Sequence, residues 1–421
     1  VRLLLVSHYF PPEIGAPQAR LSGLARHWAG AGDEVCVLTG MPNHPTGVVP
    51  PRYRHRLRVI ERRDGCRVVR TWLYATPNEG VLRKTIGHLS FMVSSVLLGW
   101  RVTGPADVVV VSSPTFFSIF AAWLLARIKR AAFVVEVRDL WPAIFVELGV
   151  LTNPTLIRLL ERAELAAYRA ATAVVVVSEG FRQDLVRRGI PPSKVHVIRN
   201  GVDLAEFRPR DPTDPDSGTT GIRSRWGAEP GDVIVLYAGA HGLSHGLTTL
   251  AEAAALLRDA PLRFVCVGEG AAKRELRARV DELRLDSFLL APGVPHEQVP
   301  DLLAAADICV VPLRDVPLFA SFIPSKIFEY LAAGKAVVGA VRGEAREILC
   351  AAGAVVVDPD DPAALARALR YLASDPRRRA AMGRQARAYV EEHFDRRQLA
   401  QRYHDILLSL AHPAVGSPPA G

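Results

Sequence analysis

Lys326 and Glu329 stand three residues apart in FIPSKIFEYLAAGKAVVGA (322–340), just after a Pro324–Ser325 pair that reads as a helix start. That spacing puts both side chains on one helical face. At such a start the free backbone N–H groups of Ser325 and Lys326 can hold a diphosphate, and the Lys326 ammonium adds a point charge. Glu329, one turn on, can accept from two ribose hydroxyls. The same residues also fit a capped surface helix with an i,i+3 ion pair. In the other half of the chain, VVEVRDLWP (134–142) ends an apolar run with Arg138 and Asp139 side by side. Charges at a buried strand end are costly unless they are used or paired. Asp139 is therefore the candidate chemical group of this half, with a structural salt bridge as the alternative.

Three glycine-bearing turns add to these. YAGAHGLSHGL (237–247) holds Gly239, Gly242 and Gly246 with His241 and His245 between them. The glycines let a loop pass close to a ligand, and the histidines can donate to phosphate oxygens. Two His four apart also raise the question of a metal. No acidic or Cys partner stands near them, which makes a metal site the poorer reading. VGEG (267–270), with Gly268 and Glu269, suits a tight strand-to-helix turn. In SHYFPPEIGAPQAR (7–20), Gly15 lies just before a helix starting near Pro17. A phosphate or sugar can approach such a turn, which also forms without any ligand.

These residues all follow short apolar runs. In the first half the runs are RLLLVS (2–7), EVCVLTG (34–40), VVRTWLYA (68–75), DVVVVSS (107–113), AFVVEVRD (132–139), AVVVVSE (173–179) and VHVIRN (195–200). They are Val-rich and uninterrupted, as parallel strands covered on both faces are. Helix-length amphipathic stretches lie between them, such as Gln18 to Gly32 and Asn153 to Ala171. The rhythm predicts βαβ units in a doubly wound sheet. It breaks at PRDPTDPDSGTTG (209–221), which reads as a linker. It restarts with VIVLYAG (233–239), RFVCVGEG (263–270), SFLLAPGV (287–294), DICVVPL (307–313), AVVGAV (336–341) and AVVVDP (354–359).

The expected architecture is α/β, with two doubly wound Rossmann-like domains facing across a cleft. Residues 1–205 form the first domain and 206–385 the second. A long charged helix from about Pro376 to Ala411 crosses back with its 386–411 part, and 412–421 is a disordered tail. A chain of 421 residues suits two domains of this size.

A net charge of +9, from 52 Lys and Arg against 43 Asp and Glu, points to an anionic partner or to a general preference for Arg. No basic tract interleaved with aromatics is present, which disfavours nucleic acid. The five Cys form no C-x-x-C and mostly sit in apolar runs, as buried thiols in a reducing compartment do. The start VRLLLVS reads as a strand and not as a signal peptide. The longest charge-free apolar stretch, Gly87 to Trp100, is 14 residues and too short to span a bilayer. The expected location is cytoplasmic or peripheral on the inner face of the membrane. VLRKTIGHLSFMVSSVLLGWRV (81–102) is apolar with Arg83, Lys84 and Arg101 at its ends. It fits either a buried domain helix or one lying on a membrane.

Taken together, HYFPPEIGAPQAR, SEGFRQDL (178–185), VIRNGVDLAEF (197–207), VGEG with Lys273, LLAAADICVVPL (302–313) and PSKIFEYLAAGKAVV (324–338) resemble the retaining glycosyltransferases of family 4, which have the GT-B fold. The RDLWP and PSK-x-x-EY patterns are most similar to the fucosamine-transferase-like branch that builds bacterial surface polysaccharides. The resemblance implies a nucleotide-sugar donor, UDP-linked, bound by the second domain. It implies that Glu329 holds the ribose, that Ser325 and Lys326 hold the phosphates, and that Val294 meets the base through its backbone. Gly239, His241, His245, Gly268 and Glu269 then also fall on the donor side, and Gly15 closes over the diphosphate. Tyr9 and Glu13 fall on the acceptor side, with Asp139 and Arg138 next to the reacting groups.

The resemblance further implies retention of configuration, no cofactor and no required metal. The expected acceptor is a lipid-linked, polyprenyl-diphosphate-type or polysaccharide-precursor molecule. Three positions depart from the family pattern. Ser321 stands where the first Glu of an E-x7-E pair falls. His241 and His245 stand in the loop that carries Arg and Lys. Arg138 replaces the usual His. A UDP-sugar 2-epimerase on the same fold and a non-catalytic sugar-nucleotide-binding subunit are the alternative readings.

Overall fold

Val-rich runs without polar interruption can only be strands that are covered on both sides, and fourteen strands form among the described residues. The computed structural model describes residues 1–412, apart from 14, 45, 77–80, 114–115, 148, 150 and 211–218. Two compact units result. One comprises Val1–Arg199 together with the segment from Arg397 on, and the other Asn200–Arg396.

In the first unit the strands are β1 (Arg2–Val6), β2 (Glu34–Gly40), β3 (Arg58–Arg63), β4 (Cys66–Thr71), β5 (Val108–Ser112), β6 (Ala132–Val137), β7 (Ala173–Val176) and β8 (Val195–Val197). Their order in the sheet is β3-β4-β2-β1-β5-β6-β7-β8, parallel except for β3 against β4. The helices are α1 (Ala16–Gly30), α2 (Val81–Gly99), α3 (Phe116–Lys129), α4 (Ala143–Glu147), α5 (Pro154–Ala170) and α6 (Glu179–Arg187). Asn153 caps α5, its side chain accepting from the Thr155 and Leu156 N–H groups, and Ser178 caps α6 through the Phe181 N–H. The core pairs Leu3, Leu5, Val37, Val110 and Val134 from the sheet with Leu21, Leu24 and Trp28 from α1. β3 is the strand that the apolar pattern does not announce. Its sequence RVIERR is mostly exposed at the sheet edge.

The second unit holds α7 (Thr219–Arg225), β9 (Val233–Ala238), α8 (Leu247–Ala255), β10 (Leu262–Val267), α9 (Lys273–Glu282), β11 (Phe288–Ala291) and α10 (Val299–Ala305). It continues with β12 (Ile308–Pro312), α11 (Lys326–Ala332), β13 (Ala336–Ala340), α12 (Gly343–Ala351), β14 (Val355–Val357) and α13 (Pro362–Ala373). All six strands are parallel, in the order β11-β10-β9-β12-β13-β14.

Two expectations change here. The linker read through Gly221 ends earlier, because α7 begins at Thr219; residues 211–218 of it lie outside the described residues. The long terminal helix is two helices, α14 (Pro376–His393) and α15 (Arg396–Ala411). Between them Asp395 bridges Val202 in strand fashion, with Val202 N–H donating to Phe394 O at 3.0 Å and Arg396 N–H to Val202 O at 3.0 Å. α15 packs Leu399, Tyr403 and Leu407 onto the core of the first unit. The expected tail falls outside the described residues from 413 on. Cys36, Cys66, Cys266 and Cys309 are buried free thiols, and Cys350 is exposed.

Candidate functional site

Ligands of open α/β sheets bind beyond the carboxyl ends of the strands, where the strand order reverses. In the second unit that point lies between β9 and β12. A cleft of about 280 Å³ lies over the loop after β9, lined by Gly242, Gly246, Thr248, Glu275, Arg314 and Asp360 among others, and Ser325, Lys326 and Glu329 do not line it. Beside it the loop after β9 is packed tightly against the loop after β10. Gly239 has φ 140°, and a Cβ there would lie 3.0 Å from Lys326 Nζ. A Cβ on Gly268 would come within 1.9 Å of Gly239 O, and one on Gly270 within 2.4 Å of His241 O. These glycines therefore allow the protein's own loops and Lys326 to close on one another. His241 N–H donates to Glu269 O at 2.8 Å, which locks the two turns together.

Lys326 is the focus of this packing. Its side chain is buried at the start of α11, and Nζ lies 3.6 Å from the centre of the Tyr237 ring. Nζ has no hydrogen-bond partner among the described residues. A desolvated ammonium without an acceptor is costly, and the ring face compensates only in part. Burial lowers the Lys326 pKa to about 7, against the opposing pull of Glu329 and Cys266. Lys326 and Glu329 form no ion pair among the described residues, so the alternative of a capped surface helix does not describe this segment.

The first bonds of the helix are Ile327 N–H to Pro324 O at 3.0 Å and Phe328 N–H to Ser325 O at 3.1 Å, so the N–H groups of Ser325 and Lys326 stand at its open end. Ser325 Oγ accepts from Asn200 Nδ2 at 3.5 Å. Burial raises the Glu329 pKa, countered by His296, Arg396 and Lys326.

The two histidines are neutral groups here. Burial, helped by Lys273 and Lys326, pushes His241 down to about 4, and neither of its ring nitrogens has a hydrogen-bond partner among the described residues. Burial, Lys326 and His241 hold His245 well below the ordinary range, and its Nδ1 lies 2.9 Å from Ser244 Oγ. Glu269 is exposed and paired to Lys273 at 2.7 Å, while the same Nζ donates to Gly268 O at 2.8 Å and Ala291 O at 3.1 Å. Val294 is half-buried after β11. Ser321, in place of the first Glu, donates its hydroxyl to Leu318 O at 2.8 Å.

Sequence reasoning missed Tyr237 and Tyr330. The Tyr330 hydroxyl accepts from Ala238 N–H at 2.8 Å and donates to Ala238 O at 3.0 Å, which ties α11 to the end of β9. The Tyr in EYLAAG was the visible signal, since a buried phenol needs such partners.

In the first unit Arg138 directly follows β6, its N–H donated to Ser113 Oγ at 3.0 Å, while Nε and Nη1 have no acceptor among the described residues. Arg138 and Asp139 form no ion pair among the described residues. Burial raises the Asp139 pKa against the pull of Arg138. Charge at this strand end is instead fixed by Glu136, buried on β6 and bonded by Arg20 Nε at 3.0 Å. Burial pushes that carboxyl up, but Arg20 and Arg138 outweigh it and the net shift is downward. Arg20 also donates to Ile198 O and Arg199 O at 3.2 and 3.1 Å.

Glu13 is buried and accepts from the N–H groups of Asn43 (2.8 Å), His44 (2.9 Å) and Phe10 (3.3 Å), so its carboxylate holds the loop after β2. Tyr9 sits among His8, His44 and His88, with ring centres at 4.4, 5.3 and 6.4 Å, and burial pushes its hydroxyl up to about 12. A Cβ on Gly15, ahead of α1, would meet Gln18 Oε1 at 2.5 Å.

The chain compares with known proteins over nearly its whole length. A family model described as Glycosyl transferase 4-like domain matches residues 15–201, and one described as Glycosyl transferases group 1 matches residues 219–389. The protein of Escherichia coli (strain K12) named for colanic acid biosynthesis, glycosyl transferase WcaI, is 25% identical over 412 residues, covering 96% of this chain and 98% of that one. Among solved structures, sucrose-phosphate synthase from Thermosynechococcus elongatus superposes with a TM-score of 0.76 at 20% identity, covering 97% of this chain and 98% of that chain. Anabaena Alr3699/HepE, solved with UDP and glucose, superposes with a TM-score of 0.73 at 17% identity, covering 97% and 99%. At such identities the two structures establish the fold alone. With two consecutive family matches that together span most of the sequence, and a fold shared end to end, the chain belongs to the GT-B glycosyltransferases of the group 1, family 4 type.

Proposed function

We propose that this glycosyltransferase moves a hexosyl-type sugar, an N-acetylated hexosamine or deoxyhexosamine, from a UDP-sugar to a lipid-linked or polysaccharide-precursor acceptor, with retention. The observation that carries the reading is Lys326. It is a buried amine with no hydrogen-bond partner among the described residues, set at the open end of a helix beside the switch point of its sheet. An anionic diphosphate supplies the missing acceptor and gains both the ammonium and the helix N–H groups. The UDP-bound neighbour of the same fold and the WcaI relative, named for colanic acid biosynthesis, support the donor and the pathway class. The RDLWP and PSK-x-x-EY patterns support the fucosamine-transferase-like branch.

In this reading the donor's phosphates lie against Ser325 and Lys326, its ribose against Glu329 and its base against the backbone at Val294. Gly239, His241, His245, Gly268 and Glu269 shape the loops around it, and Gly15 approaches the diphosphate. Preorganised donors on the leaving diphosphate are the main lever, since that is where charge develops. This reading calls for no metal or cofactor. Asp139 orients the acceptor hydroxyl, and the departing phosphate oxygen takes its proton as the glycosidic bond forms. Arg138, with two nitrogens that have no acceptor among the described residues, meets a negatively charged group of the acceptor. Tyr9 and the loop clamped by Glu13 frame the acceptor side. The protein works as a peripheral enzyme on the cytoplasmic face of the membrane.

Calorimetry with UDP, GDP and ADP tests the donor. UDP is expected to bind best, with affinity lost in Glu329→Ala. Absence of binding to all three would move the non-catalytic reading to first place. Isomerisation of a UDP-sugar with no acceptor present would favour the epimerase.

A further inference from the structure

Among the described residues the pair α2 and α3 leaves an apolar face without a partner. On α2, Ile86, Leu89, Val93 and Leu97 recur every three to four residues and are exposed, Leu97 at 68%. Trp100 follows at the end of the helix. On α3, Trp123, Leu124 and Ile128 are exposed in the same way. The two helices pack together, and Lys129 at the end of α3 donates to Trp100 O at 2.9 Å, so their exposed ends adjoin. Beside α2, Trp72 is exposed too, and its carbonyl accepts from Ser94 of that helix.

The charges carried by these two helices and the segment between them are almost all basic. Between residues 81 and 130 the basic side chains are Arg83, Lys84, Arg101, Arg127, Lys129 and Arg130. The only acid in that span is Asp107, which is held by Arg2. Arg101 lies over the Trp100 ring at 4.6 Å and Arg127 over Trp123 at 6.0 Å. Neighbouring RHRLR (54–58) adds three more exposed Arg and Leu57. Tryptophan and arginine around aliphatic side chains match the boundary between acyl chains and anionic headgroups. A second copy of this chain fits poorly, because a two-fold contact would set these arginines against each other. No described helix is long and apolar enough to cross a membrane.

We infer that the α2–α3 face docks flat on a bilayer surface rich in anionic lipid, with Leu97, Trp100, Trp123 and Leu124 entering the headgroup boundary. The inference deepens the lipid-linked acceptor reading and rests on it for its purpose, but its physical basis is this face alone.

The test is sedimentation of the full chain with phosphatidylcholine vesicles, with and without phosphatidylglycerol. Binding is expected only with the anionic lipid, and it should weaken as salt rises. Leu97→Glu/Leu124→Glu should lower the partition by roughly ten-fold or more. Unchanged binding by that variant, or wild-type protein that ignores anionic vesicles, would overturn the inference. A wild-type dimer that the variant turns into a monomer without vesicle binding would also overturn it and assign the face to a second copy. UDP calorimetry on the same variant should match wild type. If wild type fails to bind UDP yet binds vesicles, the donor reading falls and the docking face stands.

Discussion

Lys326 carries the sharpest prediction, because its protonation is set by burial and by whatever lies against it. A group held below its ordinary value of 10.5 contributes stability that is present above that value and is lost as pH falls through about 7. The free site thus resists the charge that a diphosphate would restore. At about pH 8, where the phosphates of UDP are fully ionised, Lys326 is largely neutral before binding and charged afterwards. Binding is expected to take up a proton, seen as a dependence of the calorimetric enthalpy on buffer ionisation. Affinity should decline as pH rises above about 7. Lys326→Met should abolish the uptake and weaken UDP by roughly ten- to a hundred-fold, the worth of a charge-assisted contact. Uptake that persists in the variant would move the titrating group elsewhere. Of this site, PSKIFEY was legible because a Lys and a Glu on one helical face after a Pro–Ser start are a local pattern. Tyr237 under the ammonium was not, because the contact joins residues far apart in sequence.

At the scale of elements, the glycine turns show what a sequence says and what it withholds. YAGAHGLSHGL and VGEG announce tight turns at strand ends, and the strands and turns fall where the apolar runs put them. Which atoms use the missing Cβ is a tertiary matter, and they prove to be the loops' own backbone and Lys326. Gly268→Ala is therefore expected to fail twice, by its φ of 153° and by the approach to Gly239 O, at a cost of more than about 1 kcal/mol. It should also displace the His241 loop and weaken UDP binding. Gly242→Ala meets only ordinary contact with His245 and should stay within about 0.5 kcal/mol of wild type. Thermal unfolding of the two variants side by side makes the comparison, and equal losses would refute this use of the glycines. β3 escaped the sequence reading for the converse reason. An edge strand of charged residues has no apolar run to announce it, and only its pairing with β4 makes it a strand.

At the scale of the whole molecule, the first unit is completed by α15, which returns to it after the second unit. The periodic pattern from Pro376 to Ala411 looks like one helix because the break at Phe394 and Asp395 comes with pairing to Val202, almost 200 residues earlier, and the one local sign of it is Asp395, a favoured helix-start residue just before α15. After that break α15 lays Leu399, Tyr403 and Leu407 on the core that holds Trp28, with the Tyr403 and Trp28 rings edge to face at 5.4 Å. The Tyr403 hydroxyl is buried and finds no partner among the described residues, so the side chain contributes through its ring and not through its oxygen. Tyr403→Phe should consequently stay within about 1 kcal/mol of wild type, or gain, since a buried hydroxyl without a bond is a cost. Tyr403→Ala should lose about 3–5 kcal/mol, the usual range for emptying a large aromatic site. The loss should fall on the first unit, with UDP binding by the folded protein largely retained, because the proposed donor residues other than Gly15 lie in the second. Denaturant unfolding followed by UDP calorimetry separates the two effects. If Tyr403→Phe proves as damaging as Tyr403→Ala, the hydroxyl has a partner after all and the last helix is held by a polar anchor.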